Sequence, residues 1–378
     1  MVYYAIAMAL YMGSSTCEVL RCLLEGLRWL WGTEAVKVAG KSGISQARSR
    51  LGETPLRRLY EQVVQPVATR ASKGAWYRTW RLVSLDRSSL DVADTAENGT
   101  HVLFGAHLGR YADSETTLAW RGAGAEAGML CLADRQFFGH ALWQAAAATG
   151  ADLLWRGKQN LRLPRETVLA DESYLSTVYA HEKDRRRATH GVRVRVVEYR
   201  LENVADAEPL YKLLTTILDL AQAPAADLAA LHHERWEIEG ALAELKTQLR
   251  GARAVLRSKT SDLVRQEFWG LLLAHFAVRG LMHEAALRAD EDPDRLSFLR
   301  AVCVVRRKLP LFAAFPPRHR LALHEAVLDE MLEERVASSR GRQVPRGVKR
   351  KMSGYPLRPR TSQPTTRINV AAAIQIIK

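Results

Sequence analysis

The chain has 378 residues, 47% hydrophobic and 25% charged, which is enough for roughly two to three domains with buried cores and excludes wholesale disorder. Fifty-five Lys and Arg against 41 Asp and Glu give a net charge of +14, and the excess is uneven. No acid follows Glu334, while eleven bases run from Arg335 to Lys378; without those eleven the rest of the chain carries only +3.

The opening run MVYYAIAMALYMG is apolar, lacks a basic leader and is too short to span a bilayer, so it reads as a buried helix. Beginning at Met1 directly inside this helix, the chain reads as truncated at its N-terminus. Helical spacing continues through CEVLRCLLEGLRWLW and PLRRLYEQVVQPVA. Between them, KSGISQARSRLG is expected to form a short helix capped by Ser42 or Ser45 that exposes Gln46, Arg48 and Arg50 to phosphates or base edges. An ordinary amphipathic helix with a basic outer face is the alternative.

From Trp80 the pattern changes to short β-type runs: TWRLVSLD, THVLFGAHLG, MLCLAD and DLLWRG, with the helical FGHALWQAAAATG between the last two. YLSTVYA, VRVRVVEYRLE and YKLLTTILD follow as a β-rich stretch. A helix over about 226–250 comes next, then QEFWGLLLAHFAVRGLMHEAAL, which is apolar nearly all round and so buried. The organisation expected is a helical N-terminal domain (1–79), an α/β core in two parts (80–157 and 226–290), a β-rich insertion (158–225) and a C-terminal helical region with a basic tail (291–378).

The tail suits a polyanionic partner, nucleic acid first, because each phosphate neutralised releases condensed counterions; a solvated extension is the plainer reading. Four scattered cysteines, none in a C-x-x-C pair, fit a reducing cytoplasm. No other stretch approaches eighteen uninterrupted apolar residues, so a soluble protein with no membrane partner is expected.

Three acids carry the candidate chemistry. Asp86 ends the run RLVSL and Asp134 ends MLCLA, and a carboxylate at the end of a buried strand lies where ligands of α/β sheets bind; either alone is equally a turn residue. The third, Glu239, sits on the helix DLAALHHERWEIEGALAELKTQLRG. At about 100° per residue His232, Arg235, Lys246 and Arg250 fall on its face, while Leu231, Ile238, Leu242, Leu245 and Leu249 make an adjoining apolar stripe. Glu234, Glu237 and Glu244 are placed on the solvated side, His233 at the surface and Trp236 against the core. Surface ion pairing of Glu239 with Arg235 and Lys246 is the plain alternative. Three carboxylates form a hard-oxygen set suited to Mg²⁺ or Mn²⁺, and two such ions promote phosphodiester displacement. Arg257, Lys259 and Arg265 are read as phosphate contacts or as solvated bases.

The spacing Y-x2-R-x3-E-x6-K is kept by His232, Arg235, Glu239 and Lys246. With RLVSLDRSSLDVADT, LADRQFFGHALW, YKLLTTILD and RGVKRKMSGYPLRPR, it makes the chain resemble bacterial insertion-sequence transposases of the DDE class, in the group typified by insertion sequence four. The resemblance implies a ribonuclease-H-like mixed-sheet core interrupted by a β-rich insertion. It implies Asp86, Asp134 and Glu239 as catalytic, metal-binding residues for two Mg²⁺ or Mn²⁺ ions, and His232, Arg235, Lys246 and Arg250 as DNA contacts. Its partners are double-stranded DNA, both terminal inverted repeats and target, and a second copy of the chain in a synaptic complex. The protein would act in the bacterial cytoplasm at the nucleoid. This sequence departs from the group in having His232 for tyrosine. It is also short between Asp94 and Gly109, where only THVLFGAHLG remains, so an internal deletion leaving a two-stranded meander is expected. Two other readings are a non-catalytic DNA-binding remnant and a structure-specific nuclease using the same metals.

Overall fold

Helix signals in the first sixty residues act as written. In a computed structural model, α1 (Val2–Leu10), α2 (Thr16–Trp31), α3 (Lys41–Leu51) and α4 (Thr54–Val63) form in turn. Ser15 caps α2 by accepting the Glu18 N–H at 3.2 Å, and Pro55 sits in the first turn of α4, where a missing N–H costs no helical bond. The structure describes residues 1–88, 92–108, 124–204, 207–251, 256–337, 342–343 and 368–377. The chain divides into two units, Met1–Leu108 with Glu237–Ser338, and Gly109–Trp236 with Ser339–Lys378. Of the basic tail, the stretches 338–341, 344–367 and 378 lie outside the described residues.

The first unit is built on the 28-residue helix Ser261–Arg288, buried on most faces as its largely apolar middle requires. Against it pack Ala5 and Ala9 of α1, Leu56 and Tyr60 of α4, and the helices Phe298–Ala314 and Arg320–Leu332 in one apolar cluster. Close approach of α1 requires Gly270, where an added Cβ would stand 2.7 Å from the Ala5 carbonyl oxygen. Arg48 of α3 is buried rather than exposed. Its Nε donates to Gln266 Oε1 at 2.9 Å and a terminal nitrogen lies 3.3 Å from Glu267 Oε1, so the expected phosphate-facing role is corrected to an internal strut. The α3 N-cap is Gly40, with no side-chain bond from Ser42 or Ser45.

This unit also carries a meander. β1 (Trp76–Tyr77), β2 (Trp80–Ser88), β3 (Val92–Glu97) and β4 (Leu103–Leu108) pair in antiparallel succession, with Asp86 opposite Asp94 in the register. The two-stranded meander expected from the short sequence is therefore wrong: β2, β3 and β4 make three strands. VADTAE escaped the sequence reading because its buried positions include Thr95 and Glu97, which break the apolar alternation.

The second unit holds a mixed sheet. β5 (Met129–Ala133), buried throughout, runs parallel to β6 (Asp152–Arg156) through the helix His140–Ala147. β7 (Thr167–Val168), β8 (Tyr174–Val178), β9 (Val192–Leu201) and β10 (Tyr211–Thr215) complete it in the order β5-β6-β10-β9-β8-β7, antiparallel after β6. Within it Arg195 is fully buried and donates to Ser173 Oγ at 2.8 Å, to the Ala223 carbonyl at 2.6 Å and to Asp171. No helix among the described residues is long and apolar enough to cross a membrane.

Candidate active site

The helix expected over 226–250 is three segments. Ala225–His233 ends in a turn at Glu234 and Arg235, Trp236–Ala243 restarts, and Glu244–Leu249 is wound as a π-helix. The apolar stripe survives the interruption: Leu231, Ile238, Leu242, Leu245 and Leu249 are all buried, and Glu239 stands half-buried at its border.

Glu244 opens the π-segment. Expected to face water, it is buried with Oε2 accepting from Arg279 Nε at 2.8 Å and lying 3.3 Å from His275 Nε2, while Oε1 is 3.3 Å from His101 Nδ1. Burial alone would raise the carboxyl's pKa, but Arg279 and then His101 outweigh it and hold the group well below the carboxylate range. Burial and Arg279 oppose protonation of His101; Asp294 and then Glu244 overcome them and raise its pKa. Glu237, also assigned to the solvated side, is only half-exposed and accepts the Gly99 N–H. Sequence reasoning missed His101, Glu244 and Arg279. The available signal was Arg279 itself, a charge inside a helix read as buried, which needs an internal partner.

The predicted acids are placed as follows. Asp86 lies on β2 and is half-buried, directly after the buried Leu85; Glu239 belongs to the same unit. Asp134 belongs to the other unit, immediately beyond β5, half-buried, with Oδ1 accepting the Arg135 backbone N–H at 2.7 Å. As donors they are three carboxylates with at least partial access to solvent, a chemistry that fits hard divalent cations.

The bases beside them are less exposed than expected. His232 is buried, and its Nε2 lies 3.4 Å from the carbonyl oxygen of Ala133, the residue before Asp134. Burial, then Arg235 and His233, hold its pKa well below the usual histidine value, so the ring is neutral and Nε2–H donates. His233, expected at the surface, is instead half-buried, with Nε2 3.1 Å from Tyr199 Oη; burial, then Arg156 and Arg235, lower its pKa to about 4. Trp236 is 51% exposed instead of packed in the core, with the Arg235 guanidinium 5.6 Å from its ring centroid. Arg235 is itself buried, and Lys246 and Arg250 are half-buried. Arg257, read as a phosphate contact or a solvated base, donates to the Tyr11 carbonyl at 2.6 Å.

Residues 1–61 match the family described as insertion element 4 transposase N-terminal, and residues 97–277 match the transposase DDE domain. The second span includes Asp134 and Glu239; Asp86 lies upstream of its start. The chain is also 26% identical over 356 residues to transposase InsG for insertion sequence element IS4 of Escherichia coli (strain K12), covering 85% of this chain and 79% of that protein. It belongs to the IS4-like DDE transposases, and its mixed α/β fold is the ribonuclease-H-like fold of that class. DNA binding and dependence on a divalent metal ion come with the class.

Proposed function

We propose that this transposase cuts DNA at the ends of its insertion sequence and joins them to a target, with Asp86, Asp134 and Glu239 holding two Mg²⁺ ions, Mn²⁺ being an alternative. The carrying observation is Glu239, half-buried at the border of its helix's apolar stripe and within the matched DDE domain, with Arg235 and Lys246 at the signature spacing. When bound, the ions activate the attacking oxygen and stabilise the leaving one. The three carboxylates would hold those ions by charge and by hard-oxygen coordination.

The buried Ile238, Ala241 and Leu242 anchor the helix that carries Glu239, and the π-segment is tied to the long helix by the Glu244–Arg279 ion pair, so the backbone bearing the acid is fixed before DNA arrives. His232 steadies the backbone leading into Asp134 through the Ala133 carbonyl. We assign its part to positioning, with Arg235, Lys246 and Arg250 supplying positive charge to DNA phosphates. The assembly acts as a homodimer joining two terminal repeats, on chromosomal DNA in the bacterial cytoplasm.

The test is cleavage by the purified chain of a duplex copied from the DNA flanking its own gene, with Mg²⁺, beside Glu239→Gln. Loss of cutting in the variant is expected. Unchanged cutting overturns the site.

A further inference from the structure

A second group of donors lies in the first unit, on side chains with no assigned role. The turn between β3 and β4 is fastened by Glu97, whose Oε2 accepts the Thr100 hydroxyl at 2.6 Å and the Val67 and Ala68 N–H groups at 2.9 and 3.0 Å. The turn ends at His101, in the left-handed region at φ 57°. Its imidazole packs against the Glu239 helix at Gly240, where a Cβ would come 3.2 Å from the ring. On that helix stands Glu237, and Asp294 reaches in from the short 3-10 turn Pro293–Arg295. One ligand atom from each of His101, Glu237 and Asp294 lies within 4.8 Å of the other two.

Two observations turn this convergence into a site. His101 is 7% exposed, and its Nε2, 3.1 Å from Asp294 Oδ1, makes no hydrogen bond of acceptable geometry. Its other nitrogen, Nδ1, is 3.3 Å from Glu244 Oε1, a carboxylate behind the imidazole, and also lies against a terminal nitrogen of Arg279, which is itself paired with that carboxylate. Bonds of about 2.0–2.2 Å place ligands roughly 3.3–3.6 Å apart around a tetrahedral ion, within reach of side-chain rotation here.

We propose that His101, Glu237 and Asp294 bind one divalent transition-metal ion of the zinc class, tying the β3–β4 turn and the Pro293 turn to the helix that carries Glu239. One imidazole with two carboxylates selects zinc-like ions over Mg²⁺. The proposal uses first-unit side chains only and stands apart from the transposase reading.

Full-length protein stripped with a chelator and dialysed should take up one Co²⁺ per chain with visible absorption of nitrogen-containing coordination, and Zn²⁺ should displace it and raise Tm. Glu239→Gln should keep this behaviour, which separates the site from the proposed catalytic ions. His101→Asn, whose side chain tolerates the left-handed backbone, and Asp294→Asn should each lose at least about tenfold in Co²⁺ affinity while keeping the native circular dichroism. Absence of the Co²⁺ band in the unsubstituted protein, or a band unaltered in folded His101→Asn and Asp294→Asn, overturns the proposal and leaves a metal-free polar network.

Discussion

Glu244 and Arg279, thirty-five residues apart, meet as a buried ion pair in which Arg279 Nε donates to Glu244 Oε2 at 2.8 Å. The pair joins the π-helical continuation of the Glu239 helix to the long central helix. Arg279→Met strands a buried carboxylate and should cost about 3–5 kcal/mol of stability, while Glu244→Met with Arg279→Met should recover much of the loss. Urea unfolding of the two variants checks this; equal losses in both would place the energy in packing alone.

Gly270 supports a second stability prediction. Gly270→Ala puts a Cβ 2.7 Å from the Ala5 carbonyl oxygen, a backbone atom that moves only if α1 moves. A destabilisation of about 1–3 kcal/mol is expected, read as a lower midpoint in chemical denaturation. A midpoint at or above that of the unsubstituted protein would contradict the close approach of α1.

His233 gives a pH dependence with a definite sign. Its pKa falls to about 4 in the folded chain, so between the reference value of about 6.5 and that point the unfolded chain binds a proton that the folded chain refuses. The contribution is complete above pH 6.5 and shrinks as pH falls towards 4, by up to about 1.4 kcal/mol per unit. The stability difference between the unsubstituted protein and His233→Gln should narrow over that range. A difference independent of pH would mean that His233 does not titrate as its burial requires.

His232 should act on turnover more than on binding. Its Nε2–H faces the Ala133 carbonyl next to Asp134. His232→Phe keeps the ring and removes the donor, so kcat for end cleavage should fall by about ten- to a hundredfold with the KM for DNA little changed. A rise in KM at constant kcat would instead make His232 a DNA contact.

Much of this was legible in the sequence because local patterns report burial well. VRVRVVEYRL alternates as a strand and is β9, and QEFWGLLLAHFAVRGLMHEAAL is buried nearly all round, as its composition says. The stripe that sets Glu239 at a buried border was readable too. What was hidden depends on distant partners or irregular winding. Arg48 reads as a surface base until Gln266, 218 residues away, accepts its hydrogen bond. Glu244 reads as solvated until Arg279, 35 residues away, donates to it inside the core. β3 is short, and its buried Thr95 and Glu97 mask the alternation.

The central claim is that Asp86, Asp134 and Glu239 hold the metal ions at which DNA is cut, and thiolate substitution tests it most directly. Asp86→Cys, Asp134→Cys and Glu239→Cys should each be nearly inactive on the end duplex with Mg²⁺, which thiolates bind poorly. Each should regain cutting when Mn²⁺, more tolerant of sulfur, replaces it. Cysteine variants that cut as fast as the unsubstituted chain in Mg²⁺ would contradict the account.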